Sequence, residues 1–205
     1  VEHGDGLAAV ARQPDIALEV DRTGKPLTPP EGINFGGRLG LMQGIITAPN
    51  GDMWALGISK RQLLHFPKGD WNNGRIVCEG DSAEPCKSFT APFHLAIDQQ
   101  DRIWVSDSSF HVIRFPAADP GKAVKFEVRS NNSGLNIDSQ GNVWVTNRFG
   151  SGQPRLFLNN GAGVYSNVTA TNIPAGNISD PQDCLFADVD GDLDLDIHVG
   201  SRAGA

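Results

Sequence analysis

The chain has 205 residues, 24 of them Gly and 13 Pro, with 39% hydrophobic residues, enough for one sizeable domain or two small ones. This composition suits many short strands joined by turns and argues against a helical protein, and no heptad or long 3.6-residue period is visible. A formal charge of −7 gives no basic footprint for nucleic acid, and no apolar run is long enough to span a membrane. The chain opens at Val1 with no initiating Met and no visible signal peptide, as a processed chain or an excised fragment would.

Residues 1–15 carry little pattern. Ile16–Leu27 alternates Ile16, Leu18 and Val20 on one face and then reaches Thr23-Gly24, which predicts a strand and a hairpin turn. Thr28–Gly40, with Pro29-Pro30 and Gly36-Gly37, reads as a connecting loop. Three similar segments follow: Gly44–Leu56 (GIITAPNGDMWAL), Phe93–Asp107 (FHLAIDQQDRIWVSD) and Gly134–Asn147 (GLNIDSQGNVWVTN). Each is an apolar strand, a polar turn and a second strand carrying Trp; the turns fall at Asn50-Gly51 in the first and Gln140-Gly141 in the third. Trp54, Trp104 and Trp144 are spaced by 50 and 40 residues. Third strands are predicted at Gln62–Pro67 and His111–Pro116, aligned through Phe66 and Phe115. Residues 68–74 read as a loop, and outer strands as Arg75–Cys78 and Ala123–Arg129. Hairpin units at this interval are the signature of β-propeller blades.

The expected fold is therefore all-β: a propeller of four-stranded antiparallel blades, about four to five in number. Ile16–Leu27 would supply the edge of an incomplete first blade or a strand that latches the ring; failing closure, an open arc would self-associate through its exposed edges. The whole of 1–205 reads as a single propeller domain. The three tryptophans occupy one equivalent position, so each is expected to fill the wedge between adjacent twisted sheets. These segments resemble the NHL-type and virginiamycin B lyase-like repeats of six-bladed propellers over about residues 16–150. That resemblance implies a fold and leaves the activity open.

The pattern changes after residue 151. Leu156–Thr169 (LFLNNGAGVYSNVT) and Asp183–Gly200 (DCLFADVDGDLDLDIHVG) together resemble an FG-GAP or VCBS repeat over about 155–201, so that 151–205 is expected to form a blade of that type. Five carboxylates, Asp188, Asp190, Asp192, Asp194 and Asp196, alternate with other residues and would repel one another on one strand face. A hard divalent cation such as Ca²⁺, taking six to eight oxygens, resolves that repulsion; a solvated acidic turn is the alternative. The resemblance implies side-chain ligands at Asp188, Asp190, Asp192 and Asp196 and a carbonyl ligand at Asp194. Leu193 stands where that repeat usually has Gly.

Cys78 and Cys86 bracket a polar turn and can close a small loop; a disulfide there implies an oxidising compartment, and two free thiols are the alternative. Cys184, in an apolar run, reads as a buried inert thiol. No G-x-S-x-G, H-E-x-x-H or phosphate loop is present. Among His3, His65, His94, His111 and His198, only His94 stands at the start of an inner strand, where Gly44 and Gly134 are its counterparts. It is the candidate acid–base residue at the channel, or else a channel-lining His bonded to backbone or water. His65 and His111 fall in third strands, at surface or interblade positions. Asn136, Asp107 and Asn147 are candidate ligand-binding neighbours, or else groups that satisfy turn amides. Virginiamycin B lyase-like enzymes use histidine and acidic residues with a divalent metal, and that constellation has no residue-by-residue match here. The favoured reading is an extracytoplasmic calcium-stabilised module, secreted, periplasmic or at the cell surface, that binds a protein, glycan or small molecule. The alternative is a lyase- or lactonase-like enzyme with a metal-assisted site in the channel.

Overall fold

The computed structural model describes residues 7–10, 17–20, 23, 25–29, 32–128, 131–147, 154–162, 164–173, 181–192 and 196–201. Among the described residues, five antiparallel sheets follow one another along the chain. The first is two-stranded, β1 (Leu7–Val10) with β2 (Ala17–Val20). Three four-stranded sheets come next: β3 (Met42–Thr47), β4 (Met53–Gly57), β5 (Gln62–Phe66) and β6 (Arg75–Glu79); β7 (Pro92–Ile97), β8 (Arg102–Asp107), β9 (His111–Pro116) and β10 (Val124–Glu127); and β11 (Asn132–Ile137), β12 (Val143–Asn147), β13 (Arg155–Asn159) and β14 (Tyr165–Asn167). A helical turn, α1 (Thr169–Asn172), leads to the fifth sheet, β15 (Pro181–Ala187) with β16 (Asp196–Ser201). The first strands β1, β3, β7, β11 and β15 are neighbours in that order, so the sheets stack as blades of an arc that is not closed into a ring.

Two sequence expectations are corrected. Ala17–Val20 is a strand, and it pairs back onto Leu7–Val10, in the stretch that carried little pattern; Thr23 lies in a turn, and Gly24 lies outside the described residues. The C-terminal repeat also does not map onto one sheet. Its first motif supplies β13 and β14, the outer half of the fourth sheet, and its second supplies β15 and β16 of the fifth.

The wedge role of the tryptophans holds. Trp54, Trp104 and Trp144 face Ile46, Ala96 and Asn136 across their inner hairpins, and all three are buried. Trp54 packs with Leu95, Ile103 and Phe115 of the next blade, Trp104 with Leu135 and Val145, and Trp144 with Cys184 and Phe186. Each interblade layer is a small core of its own. The first of these layers includes the Cys78–Cys86 disulfide, buried beside Phe89.

The third strands put a second group on each indole. His65 stacks on Trp54 at 4.2 Å and 20°, and its Nε2 lies 2.9 Å from Asp52 Oδ2. Burial pushes the Asp52 carboxyl up, but hydrogen bonds from the Lys68 amide and His65, with the His65 charge, hold it below its usual range on balance. A carboxyl held low in the folded state stabilises above its unfolded pKa, and that contribution fades as pH falls through the folded value. Asp52→Asn should therefore melt lower than the parent at pH 7, the gap closing as pH drops below about 4. Paired melting curves from pH 7 to pH 2 test this; a gap that stays constant would assign the loss to shape instead of charge.

Candidate functional site

Each inner strand slips register near its start, between Met42 and Gly44, Pro92 and His94, Asn132 and Leu135, and Pro181 and Asp183. A bulge bends the strand and takes an amide out of the ladder. Those of His94 and Gly134 donate instead to Ser106 Oγ at 3.0 Å and Thr146 Oγ1 at 2.7 Å. Ser106 and Thr146 stand two residues after their tryptophans, so the two blades solve the problem in the same way. Gly134 has no room for a side chain: a Cβ would lie 2.6 Å from the Asp183 Cα. This lets β11 and β15 approach closely at the level of His94.

His94 Nδ1 lies 3.1 Å from the Leu135 carbonyl and 3.2 Å from the Leu135 amide. One nitrogen cannot serve both at once: protonated it donates to the carbonyl, otherwise it accepts from the amide. In either tautomer Nδ1 is engaged with β11, and Nε2 is the ring nitrogen left for chemistry. Asp183 Oδ1 stands 3.7 Å from Nδ1, on the β15 side of the ring. His94 and Asn136 line one cavity of about 310 Å³ with Ile46, Leu95 and Ile137. Asn136 spans two blades, its Nδ2 donating to the Cys184 carbonyl at 3.1 Å while its Oδ1 accepts from the Ile137 amide at 2.8 Å.

The other candidates lie elsewhere. Asp107 is fully buried and accepts hydrogen bonds from the Thr90, Ala91 and Ser109 amides, which matches the turn-satisfying role. Asn147 ends β12 opposite Asn132. Cys184 is buried; that burial, and then the Asp183 charge, push its thiol far up, which suits an inert side chain. Asp183 was not foreseen. Its signal was available only through structure, because it follows the register slip of β15 as His94 follows that of β7.

The acidic loop joins β15 to β16. Carboxylate oxygens of Asp188, Asp190 and Asp196 lie within 4.8 Å of one another. Asp192 is not in this group, and Asp194 and Leu193 lie outside the described residues. Gly191, at φ +81, turns the chain and donates its amide to Asp188 Oδ1 at 2.7 Å. The Val189 amide donates to Asp196 Oδ2 at 3.1 Å, which ties the two ends of the loop together. Three converging carboxylates form an all-oxygen donor set, which fits a hard divalent cation and fits zinc or copper poorly.

Residues 135–199 match the profile of an FG-GAP-like repeat. No curated protein matches the sequence. Among solved structures, a streptogramin B lyase aligns with TM-score 0.63 and 12% identity over 89% of this chain and 56% of its own. A gluconolactonase from Xanthomonas campestris aligns with TM-score 0.62 and 16% identity, covering 88% and 62% of the two chains. An auxiliary nutrient binding protein from Bacteroides ovatus gives TM-score 0.65 and 14% identity, covering 96% and 50%. The chain therefore spans roughly half to three-fifths of the length of these structures. No helix among the described residues is long and apolar enough to cross a membrane. The fold is that of the β-propeller, with an FG-GAP-like repeat running across its last two sheets.

Proposed function

We propose that the chain is a calcium-stabilised binding module in a single propeller domain over 1–205, acting outside the cytoplasm on a protein, glycan or small-molecule ligand. The observation that carries this reading is the convergence of Asp188, Asp190 and Asp196 on the β15–β16 loop. Those carboxylates would hold Ca²⁺, with Asp192 and the Asp194 carbonyl as further oxygens supplied by the loop. The ion would neutralise the loop and fix the hairpin. The Cys78–Cys86 bond supports an oxidising compartment, secreted, periplasmic or at the cell surface. Self-association is a further part of the reading, since Leu185 is 59% exposed and alternates with Cys184 and Phe186, which pack on the preceding blade.

Thermal melts with calcium and with EDTA test the core of this reading. At tenfold excess over its Kd, calcium should add about 1.4 kcal/mol, a rise in Tm of about 3–6 °C. Asp190→Ala should erase the difference, and an EDTA melt superimposable on the calcium melt would sink the assignment.

One observation favours a second reading, an enzyme of the lyase or lactonase kind acting in the channel. His94 and Asn136 share a cavity and Asp183 stands beside the imidazole. There His94 Nε2 would take or give the proton while Nδ1 stays held by β11. A panel of lactones and esters separates the readings: turnover lost in His94→Ala at unchanged Tm supports the enzyme, and no turnover by the parent excludes it for that panel.

A further inference from the structure

Linkers fill two of the interblade wedges. Between the β3–β6 and β7–β10 blades, Cys86 and Phe89 of the intervening loop are buried in the shared core. Between the β11–β14 blade and the β15–β16 sheet, Val168 and Ile173 of the α1 segment pack into it. From β10 to β11 the link is short, running from Glu127 to Asn132. Here a cavity of about 360 Å³ lies against Trp104, Phe126, Phe157 and Tyr165, and a second of about 440 Å³ shares Glu127, Val128 and Phe157 with it and adds Arg155. The volume falls within the range of small-molecule pockets.

The cleft carries charge of both signs, with Lys125 and Glu127 on its lining. Arg114 faces Trp104 across the β8–β9 ladder, as His65 faces Trp54 across β4–β5. Its guanidinium lies 5.2 Å from the Trp104 ring and 5.0 Å from that of Phe126. His65 has the carboxylate of Asp52 as its partner. The residue two before the tryptophan in the next blade is Arg102, whose Nε pairs with Asp98 at 2.7 Å. Arg114 Nη1, beside the Trp104 and Phe126 rings, and Arg155 Nε, on the lining of the second cavity, are buried with no hydrogen-bond partner among the described residues. Buried donors of this kind call for an acceptor. A cationic ligand does not fit, because the buried guanidinium groups of Arg114 and Arg155 would repel it.

We propose that the cleft between the β7–β10 and β11–β14 blades binds a small aromatic carboxylate, its ring against Trp104, Phe126 and Tyr165 and its anion on Arg114 and Arg155. The site is separate from the channel and from the acidic loop, and stands whether or not those readings hold.

Calorimetric titration of the full chain with 2-naphthoate, 2-naphthylmethanol and 2-naphthylmethylammonium tests it. Naphthoate should bind saturably at one site, the alcohol about tenfold more weakly, and the ammonium not measurably. Arg114→Gln should weaken naphthoate about tenfold and leave the alcohol unchanged. Glu127→Gln, which removes a negative charge at the mouth, should tighten naphthoate; a gain of affinity cannot come from misfolding. EDTA should change none of these values. Absence of saturable naphthoate binding, equal binding of the ammonium, or indifference to both substitutions would overturn the proposal.

Discussion

Trp54→Ala should cost about 3–5 kcal/mol, the range for deleting a large aromatic from a packed core. The side chain is 2% exposed and touches residues of two blades at once, so its loss opens a void that neither sheet can close alone. Its indole nitrogen has no hydrogen-bond partner among the described residues, so the loss is one of packing. Trp54→Phe should accordingly recover most of the difference, whereas at Trp104, whose Nε1 donates to Asp98 at 2.8 Å, phenylalanine should recover less. Urea unfolding would read both series. A loss below about 1 kcal/mol for Trp54→Ala would mean that the wedge is not what joins these blades.

The double replacement Cys78→Ala with Cys86→Ala should be the second largest effect, about 2–3 kcal/mol for a loop of this length in the chain-entropy account. The two cysteines are 8 residues apart and both buried in the layer that Trp54 anchors. The bond therefore does more than close a loop: it holds Phe89 in the wedge. Dithiothreitol on the parent chain should lower Tm by the same amount as the double variant, with no further effect on that variant. A parent chain whose Tm ignores reductant even after long incubation at high temperature would count against a stabilising role.

The blades were legible because their information is local. A tryptophan among aliphatic or β-branched neighbours with a polar turn before it marks each of the three four-stranded sheets within one stretch of chain, and an aromatic near the end of the third strand marks the first two of them. The β1–β2 pairing was not legible, because Leu7–Val10 has no alternation strong enough to mark a strand before its partner is known. The C-terminal repeat misled for another reason. Its two motifs are contiguous in sequence, but they are the end of one sheet and the start of the next. At the acidic loop, Asp188, Asp190 and Asp196 lie close together among the described residues, and Asp192 stands outside that group. The approach of Asp183 to His94 arises only when three blades are set side by side, and no spacing along the chain encodes it.

Among the described residues, the apolar contacts between blades are divided among separate layers shared by neighbouring blades. Such an arrangement behaves as a one-dimensional array, in which a blade is held by the two interfaces it makes. Loosening should then begin at the outermost hairpins and travel inward, so that amide protons of β8 and β9 exchange last and those of β16 early. A van't Hoff enthalpy well below the calorimetric one would be the thermal counterpart of that gradient.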